Sequence, residues 1–295
     1  MKYLSIDAGG TFIKYAWIDE TGKVLSIGKE PTPRNSKEAF MECISQVWNQ
    51  EPNEKGGIAL SLPGTIQAET GYIFQGGSLS YHSGWNIKEA YEEVFQTRVS
   101  VENDARCAAI AEMKAGALQG IANGIVLTFG TGIGGCFVID HHIYKGTHLF
   151  SGEVSMLVCK DIATYGLDAV FGNIGGIPNL VHRICEAKGV ADADGKTVCS
   201  WIAQGDQIAG NIFSSYCADI AIQLFNMQLM LDPELVCIGG GVSENPVFLK
   251  GIKDALQAFY NRLPIAIPPL SLVSCTYHNQ ANLLGAFYHF QNQKG

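Results

Sequence analysis

The stretch from Tyr3 to Lys14 runs through apolar residues into Asp7, Gly9, Gly10 and Thr11, then into a second apolar alternation. That pattern suits a grip on phosphate. Gly9 and Gly10 lack the Cβ that would hold an anion away from backbone N–H groups. Thr11 adds a hydroxyl, and Asp7 at the strand end suits a hydrated Mg2+, an ion that keeps several waters and takes one or two carboxylates. The same residues would equally serve an ordinary hairpin. Asp104 is a second candidate. A strand expected over Arg98 to Val101 delivers Glu102, Asn103 and Asp104 to its carboxyl end, directly before a helical run from Ala105 to Ala115, and open α/β sheets bind ligands at such ends. Asp104 there suits a general base, and local sequence alone favours a helix N-cap. Glu153 could hydrogen-bond substrate hydroxyls, although isolated glutamates are mostly surface carboxylates.

Repetition gives these stretches weight. Gly124 to Gly146 repeats the opening design of apolar strand, Gly/Thr turn and second strand ending in Ile-Asp, about 120 residues further on, with Thr131, Gly132, Gly134 and Gly135 in the turn. Two copies predict two similarly built α/β domains facing each other across a cleft, with boundaries at 1–118, joined by a terminal helix within 281–295, and at 119–280. A third strand-to-glycine turn, Gly239 to Ser243 with Gly240 and Gly241, offers bare backbone to an adenosine.

The remaining elements must position these groups. Helical spacing of Phe40, Ile44, Val47 and Trp48 behind Ser36 predicts a helix over Lys37 to Asn49. Gly57 to Leu62 reads as a buried strand ending in the rigid turn Ser61 to Gly64. The loop Gly76 to Trp85, with Gly77, Ser78 and Tyr81, has the aromatic content of a sugar site, while Trp85 reads better as an anchor for the following helix. Ile208 to Leu231 predicts a long, largely buried helix. The chain has 295 residues, 47% of them hydrophobic, enough for two domains, and its net charge of −8 with no basic run argues against nucleic-acid binding. No apolar run approaches the roughly 20 residues of a membrane span and no signal pattern precedes the first strand, so a cytoplasmic protein without membrane association is expected. Nine scattered cysteines without a C-x-x-C pair read as reduced core residues.

Asp7 to Lys14, the Leu62-Pro63-Gly64 turn, Asn103-Asp104, Thr128 to Gly135, Gly152-Glu153 and Ile238 to Val242 together resemble the ROK family of bacterial sugar kinases and sugar-responsive repressors, within the actin-like (ribonuclease H-like) ATPase superfamily. The resemblance implies an ATP- and Mg2+-dependent kinase acting on a hydroxyl, the 6-OH above all, of glucose, a related hexose or a β-glucoside. It makes Asp104 the base. Asn103 and Glu153 become sugar ligands, with Gly64, Gly77, Ser78 and Met156 beside them. Asp7, Gly9, Gly10, Thr11, Lys14, Thr131, Gly132, Gly134, Gly240 and Gly241 become ATP ligands. A homodimer is the family expectation. The alternatives are a sugar-responsive regulator, which would carry a helix-turn-helix before a first strand that here begins at about residue 2, and a non-catalytic sugar-binding protein.

The chain also departs from the family pattern. Glu153-Val154-Ser155-Met156 stands where many members have Glu-x-Gly-His, and the downstream C-x-C-G-x-x-G-C motif is absent, so no zinc site is expected. An apolar Met156 in place of an imidazole suits a substrate with an aglycone at its anomeric position. Ser78 stands where the family often has Asn, which weakens a second sugar contact.

Overall fold

A computed structural model describes residues 1–52, 54–241 and 243–293. Val242 of the third glycine turn, and Lys294 and Gly295 of the expected terminal-helix segment, lie outside the described residues. The chain divides into two compact units, the first comprising Met1–Ala115, Lys145–Phe150 and Gln280–Gly295, the second Gly116–Tyr144 and Ser151–Asn279.

The first unit contains β1 (Lys2–Ala8), β2 (Phe12–Asp19), β3 (Val24–Pro31), α1 (Lys37–Asn49), β4 (Lys55–Leu62), β5 (Thr65–Gln67), β6 (Tyr72–Gln75), β7 (Trp85–Asn86), α2 (Ile87–Phe95), β8 (Val99–Asn103) and α3 (Asp104–Ala115). The second contains β9 (Gly124–Phe129), β10 (Ile133–Ile139), β11 (His142–Tyr144), α4 (Ile162–Tyr165), α5 (Phe171–Ile174), α6 (Ile177–Lys188), α7 (Gly195–Ala203), α8 (Gln207–Leu231), β12 (Leu235–Gly239), α9 (Pro246–Tyr260) and β13 (Leu272–Ser274). The last helix, α10 (Ala281–Asn292), belongs to the first unit.

The two main sheets share one plan. Their orders are β3-β2-β1-β4-β8 and β11-β10-β9-β12-β13. In each, an antiparallel three-strand meander is extended by two parallel strands. The parallel strands are covered on both faces, which is why β4 and β8 read as continuous buried runs while the edge strand β3 is mostly polar and exposed. Local signals agree with this placement. Ser36 caps α1 by accepting from the Ala39 N–H, and Phe40, Ile44, Val47 and Trp48 bury one stripe of that helix. Asp206 caps α8 in the same way, and Asp232 in the left-handed region ends it before Pro233. Trp85 packs against Tyr91 and His82 beneath the Lys37 ammonium, an anchor for α2.

Residues 145–150 group with the first unit rather than with the second domain, as the expected boundaries had it. The cause is a set of side-chain ties: Lys145 pairs with Glu102 and Glu69, and Arg106 donates to the Leu149 carbonyl.

The terminal helix is held by close approach. A Cβ on Gly285 of α10 would run into the Cys107 carbonyl of α3, and Phe287 and Phe290 meet Tyr3 with ring centroids 5.5 Å apart. Gly285→Ala must therefore push α10 off α3, and a loss of about 1–3 kcal/mol of stability is expected. Chemical denaturation with an unchanged midpoint would contradict this packing.

Candidate active site

In the first unit, parallel pairing aligns Asp7 with Ser61 and Ser61 with Glu102, and one step further Leu62 with Asn103. The chemistry-bearing residues thus reach one sheet edge together. Asp7 Oδ1 accepts from Asn282 Nδ2 at 2.9 Å and Ser61 Oγ at 3.4 Å, while Lys14 lies opposite it in the β1–β2 ladder. Desolvation pushes the Asp7 carboxyl above its ordinary value, outweighing those two hydrogen bonds and the Lys14 charge.

The turn after β1 is fixed from inside. Gly9 donates its N–H to the Phe12 carbonyl at 3.0 Å, and its own carbonyl accepts from Thr32 Oγ1 at 2.7 Å. The Gly9 amide is therefore engaged within the turn. A Cβ on Gly9 or Gly10 would meet nothing closer than 3.4 Å, the Ser78 Cβ beside Gly10. Packing does not demand glycine at either position, so the space each leaves is space for a ligand.

Gly64 is a different case. Its φ of +103° and a clash of any Cβ with the Gln75 carbonyl make glycine obligatory there. Its carbonyl accepts from Asn103 Nδ2 at 3.1 Å, and Gly77 sits against it. Gly64, Gly77, Ser78 and Asn103 therefore gather beside the Gly10 turn. Asn103, rather than Asp104, caps α3: its Oδ1 accepts from the Arg106 N–H at 3.1 Å. Asp104 is the first helical residue, its Oδ1 accepting from the Ala105 N–H at 2.8 Å.

The second unit repeats the arrangement. Gly130 donates to the Gly132 carbonyl at 2.9 Å and accepts from the Ile177 N–H at 2.9 Å, which ties the Thr131 turn to the start of α6. Gly132 is open, its nearest would-be neighbour the Gly172 carbonyl at 4.0 Å. Gly134 stands in register with Thr128, which in turn pairs with Gly239, so the Thr131 turn and the third glycine turn flank the same strand end. There Gly240 is glycine by necessity, at φ +90° against the Phe129 carbonyl, whereas a Cβ on Gly241 would meet nothing.

Gly135 and Gly152 pack backbone to backbone, a Cβ on Gly135 falling 2.5 Å from the Gly152 carbonyl, and this contact brings Glu153 beside β10. Glu153 opens a single 3-10 turn in which Val154 is buried and Met156 is 55% exposed. A cavity of about 730 Å3 opens at Thr131, with Lys160, Asn173, Asn179 and Arg183 on its walls. Sequence reasoning missed these four. They sit on weakly patterned or helical stretches without a motif. Among the described residues no cluster of three His, Cys, Asp or Glu side chains is arranged for metal binding, and no helix is long and apolar enough to cross a membrane.

A family model described as the ROK family matches residues 3–293. The chain is 28% identical to a beta-glucoside kinase of Listeria monocytogenes over 100% of this chain and 99% of that protein. It is also 28% identical to a beta-glucoside kinase of Klebsiella pneumoniae, over 98% and 96%. Among solved structures, a ROK family protein from Streptococcus pneumoniae in complex with sucrose superposes with a TM-score of 0.88 at 29% identity, covering 99% of both chains.

The raised Asp7 carboxyl yields a signed prediction. A folded-state value above the ordinary 3.8 means that ionisation opposes folding. Stability is lost as pH rises from the ordinary value through the raised one, and the penalty is complete only above the raised value. Asp7→Asn, which keeps an acceptor for Ser61 and Asn282, should therefore melt higher than the parent at pH 7, with a gain that vanishes below the ordinary value. Its Mg-ATP affinity should fall. A lower melting temperature at pH 7 would refute the desolvation argument.

Proposed function

The chain belongs to the ROK family, and on that premise we propose that it is an ATP-dependent sugar kinase, moving the γ-phosphoryl group of ATP to the 6-OH of a glucose-type hexose or a β-glucoside. The observation that carries the proposal is the set of open glycines at the ends of the strands, Gly10, Gly132 and Gly241, where packing leaves room for any Cβ and the absent side chains leave the backbone open to a ligand.

Asp104 takes the proton of the attacking hydroxyl as its oxygen bonds to the γ-phosphorus. The bond from that phosphorus to the bridging oxygen breaks, and ADP leaves. Asn103, Glu153 and the Gly64, Gly77 and Ser78 backbone orient the sugar. With both Asn103 amide groups already engaged to protein, its remaining N–H and lone pair meet the substrate from a fixed direction. The Gly10 and Thr11 amides, the Thr131 hydroxyl and the Gly132 and Gly134 backbone hold phosphates, with Lys14 adding positive charge. Lys160 and Arg183 give the cavity at Thr131 the cations that a polyphosphate needs, and the Gly240-Gly241 turn receives the adenosine. Mg2+, when bound, neutralises phosphate charge. Asp7 fits it through water, a lone carboxylate with one oxygen already engaged by Asn282 and Ser61.

The sugar class follows from Met156. Its exposed, apolar side chain stands three residues from Glu153 and suits an aglycone, in keeping with relatives that are beta-glucoside kinases. Mg-ATP-dependent ADP release should respond to cellobiose or aryl β-glucosides more strongly than to N-acetylated hexosamines. In Asp104→Ala turnover should drop about 100- to 10,000-fold while the sugar KM stays near the parent value. Undiminished turnover would remove Asp104 from the mechanism.

A further inference from the structure

Asp104 lies in sequence between Glu102 and Arg106, the buried end of an ionic cluster that reaches the exposed Glu69 and that the proposed reaction does not use. Glu102 is 1% exposed and Arg106 3% exposed, with Arg106 Nη1 3.5 Å from Glu102 Oε1. Glu102 Oε1 also accepts from the Asn103 N–H at 2.8 Å, and its Oε2 lies 2.9 Å from Lys145 Nζ. Lys145 reaches a second carboxylate, Glu69, at 3.2 Å. Burial alone would lower the Lys145 ammonium, but the two carboxylates reverse that and raise it. The cluster is balanced, with two carboxylates and two cations.

Such a cluster is a poor source of stability. Desolvating its ions costs about as much as their attraction returns, and apolar residues of similar volume commonly do as well. What it supplies is direction. Arg106 Nη2 donates to the Leu149 carbonyl at 2.7 Å, and Leu149 sits at φ +63°, a left-handed conformation that a leucine adopts only when held there. Asn103, on the other side of Asp104, is tied through its backbone to Glu102 and through its side chain to the Gly64 carbonyl and the Arg106 N–H. Asp104 thus sits between Asn103, tied to the Glu102 carboxylate, and Arg106, whose guanidinium pairs with that carboxylate and holds the Leu149 carbonyl.

We propose that Glu102 and Arg106 are the positioning pair of the kinase, aiming the first turn of α3, and with it the Asp104 carboxylate, at the attacking hydroxyl. This rests on the sugar-kinase reading with Asp104 as base. A misaimed base slows the transfer while leaving ground-state binding nearly intact.

The test separates positioning from stability. Arg106→Met alone strands the buried Glu102 carboxylate, so both melting temperature and kcat should fall. The double variant Glu102→Gln/Arg106→Met removes both charges at similar volume. Its melting temperature should return toward the parent, while kcat per folded molecule stays down about 10- to 100-fold and both KM values stay within about twofold. Recovery of kcat together with stability would reduce the pair to a structural ion pair and overturn the proposal. A rise in sugar KM that accounts for the whole loss would overturn it too, by making the pair a binding element. Asp104→Asn run in the same assay locates any failure: if it keeps full turnover, the base assignment falls and takes the positioning role with it, whereas an inactive Asp104→Asn beside a fully active double variant sinks the positioning role alone.

Discussion

Parallel strands that start together must end together, and this constraint organises each unit. In the first, the lateral row Asp7, Ser61, Glu102 and the step beyond it, Leu62 and Asn103, follow from strand pairing before any side chain is considered. In the second, the row Gly134, Thr128, Gly239 does the same for two glycine turns. A hairpin at the head of each sheet folds its turn onto that edge. Chemistry on a hydroxyl and a polyphosphate then requires only that the loops after these strands carry the right residues.

Those loops are not arranged for maximal stability. Asp7 is desolvated beyond what its hydrogen bonds and Lys14 offset, and Leu149 holds a backbone conformation that a leucine avoids. Open glycines at positions 10, 132 and 241 give up conformational entropy with no packing benefit in return. In the proposed reaction the Asp7 carboxylate would face a hydrated cation and the open turn amides phosphate oxygens. The glycines that packing does require, Gly64, Gly135, Gly240 and Gly285, build the frame on which these loops rest.

Much of this was legible in the chain itself. The repeated apolar-glycine-apolar pattern gave two sheets of one design because strand period and turn chemistry are local properties. Asp104 could be placed at a strand-to-helix junction for the same reason. The identity of the cap could not, because Asn103 and Asp104 are both good caps and the choice depends on Gly64, which binds the Asn103 amide from about 40 residues away. The bond of the Gly9 amide to Phe12 could not be read either, because two adjacent glycines do not reveal which N–H the turn consumes. Nor could the grouping of Lys145 to Phe150 with the first unit be read, since it rests on ion pairs and a carbonyl contact with no periodic signature. Lys160 and Arg183 converge on one cavity from separate elements, a relation that only the fold creates.

The account stands on phosphoryl transfer to a sugar hydroxyl, and the product tests it most directly. A phosphorus–proton correlation spectrum should be recorded on the mixture formed from Mg-ATP and a β-glucoside such as cellobiose. The account predicts a new phosphomonoester coupled to the protons on C6 of one glucosyl ring, formed in step with ADP. Inorganic phosphate at the same rate with and without sugar, or a phosphoryl group on a ring hydroxyl, would contradict it.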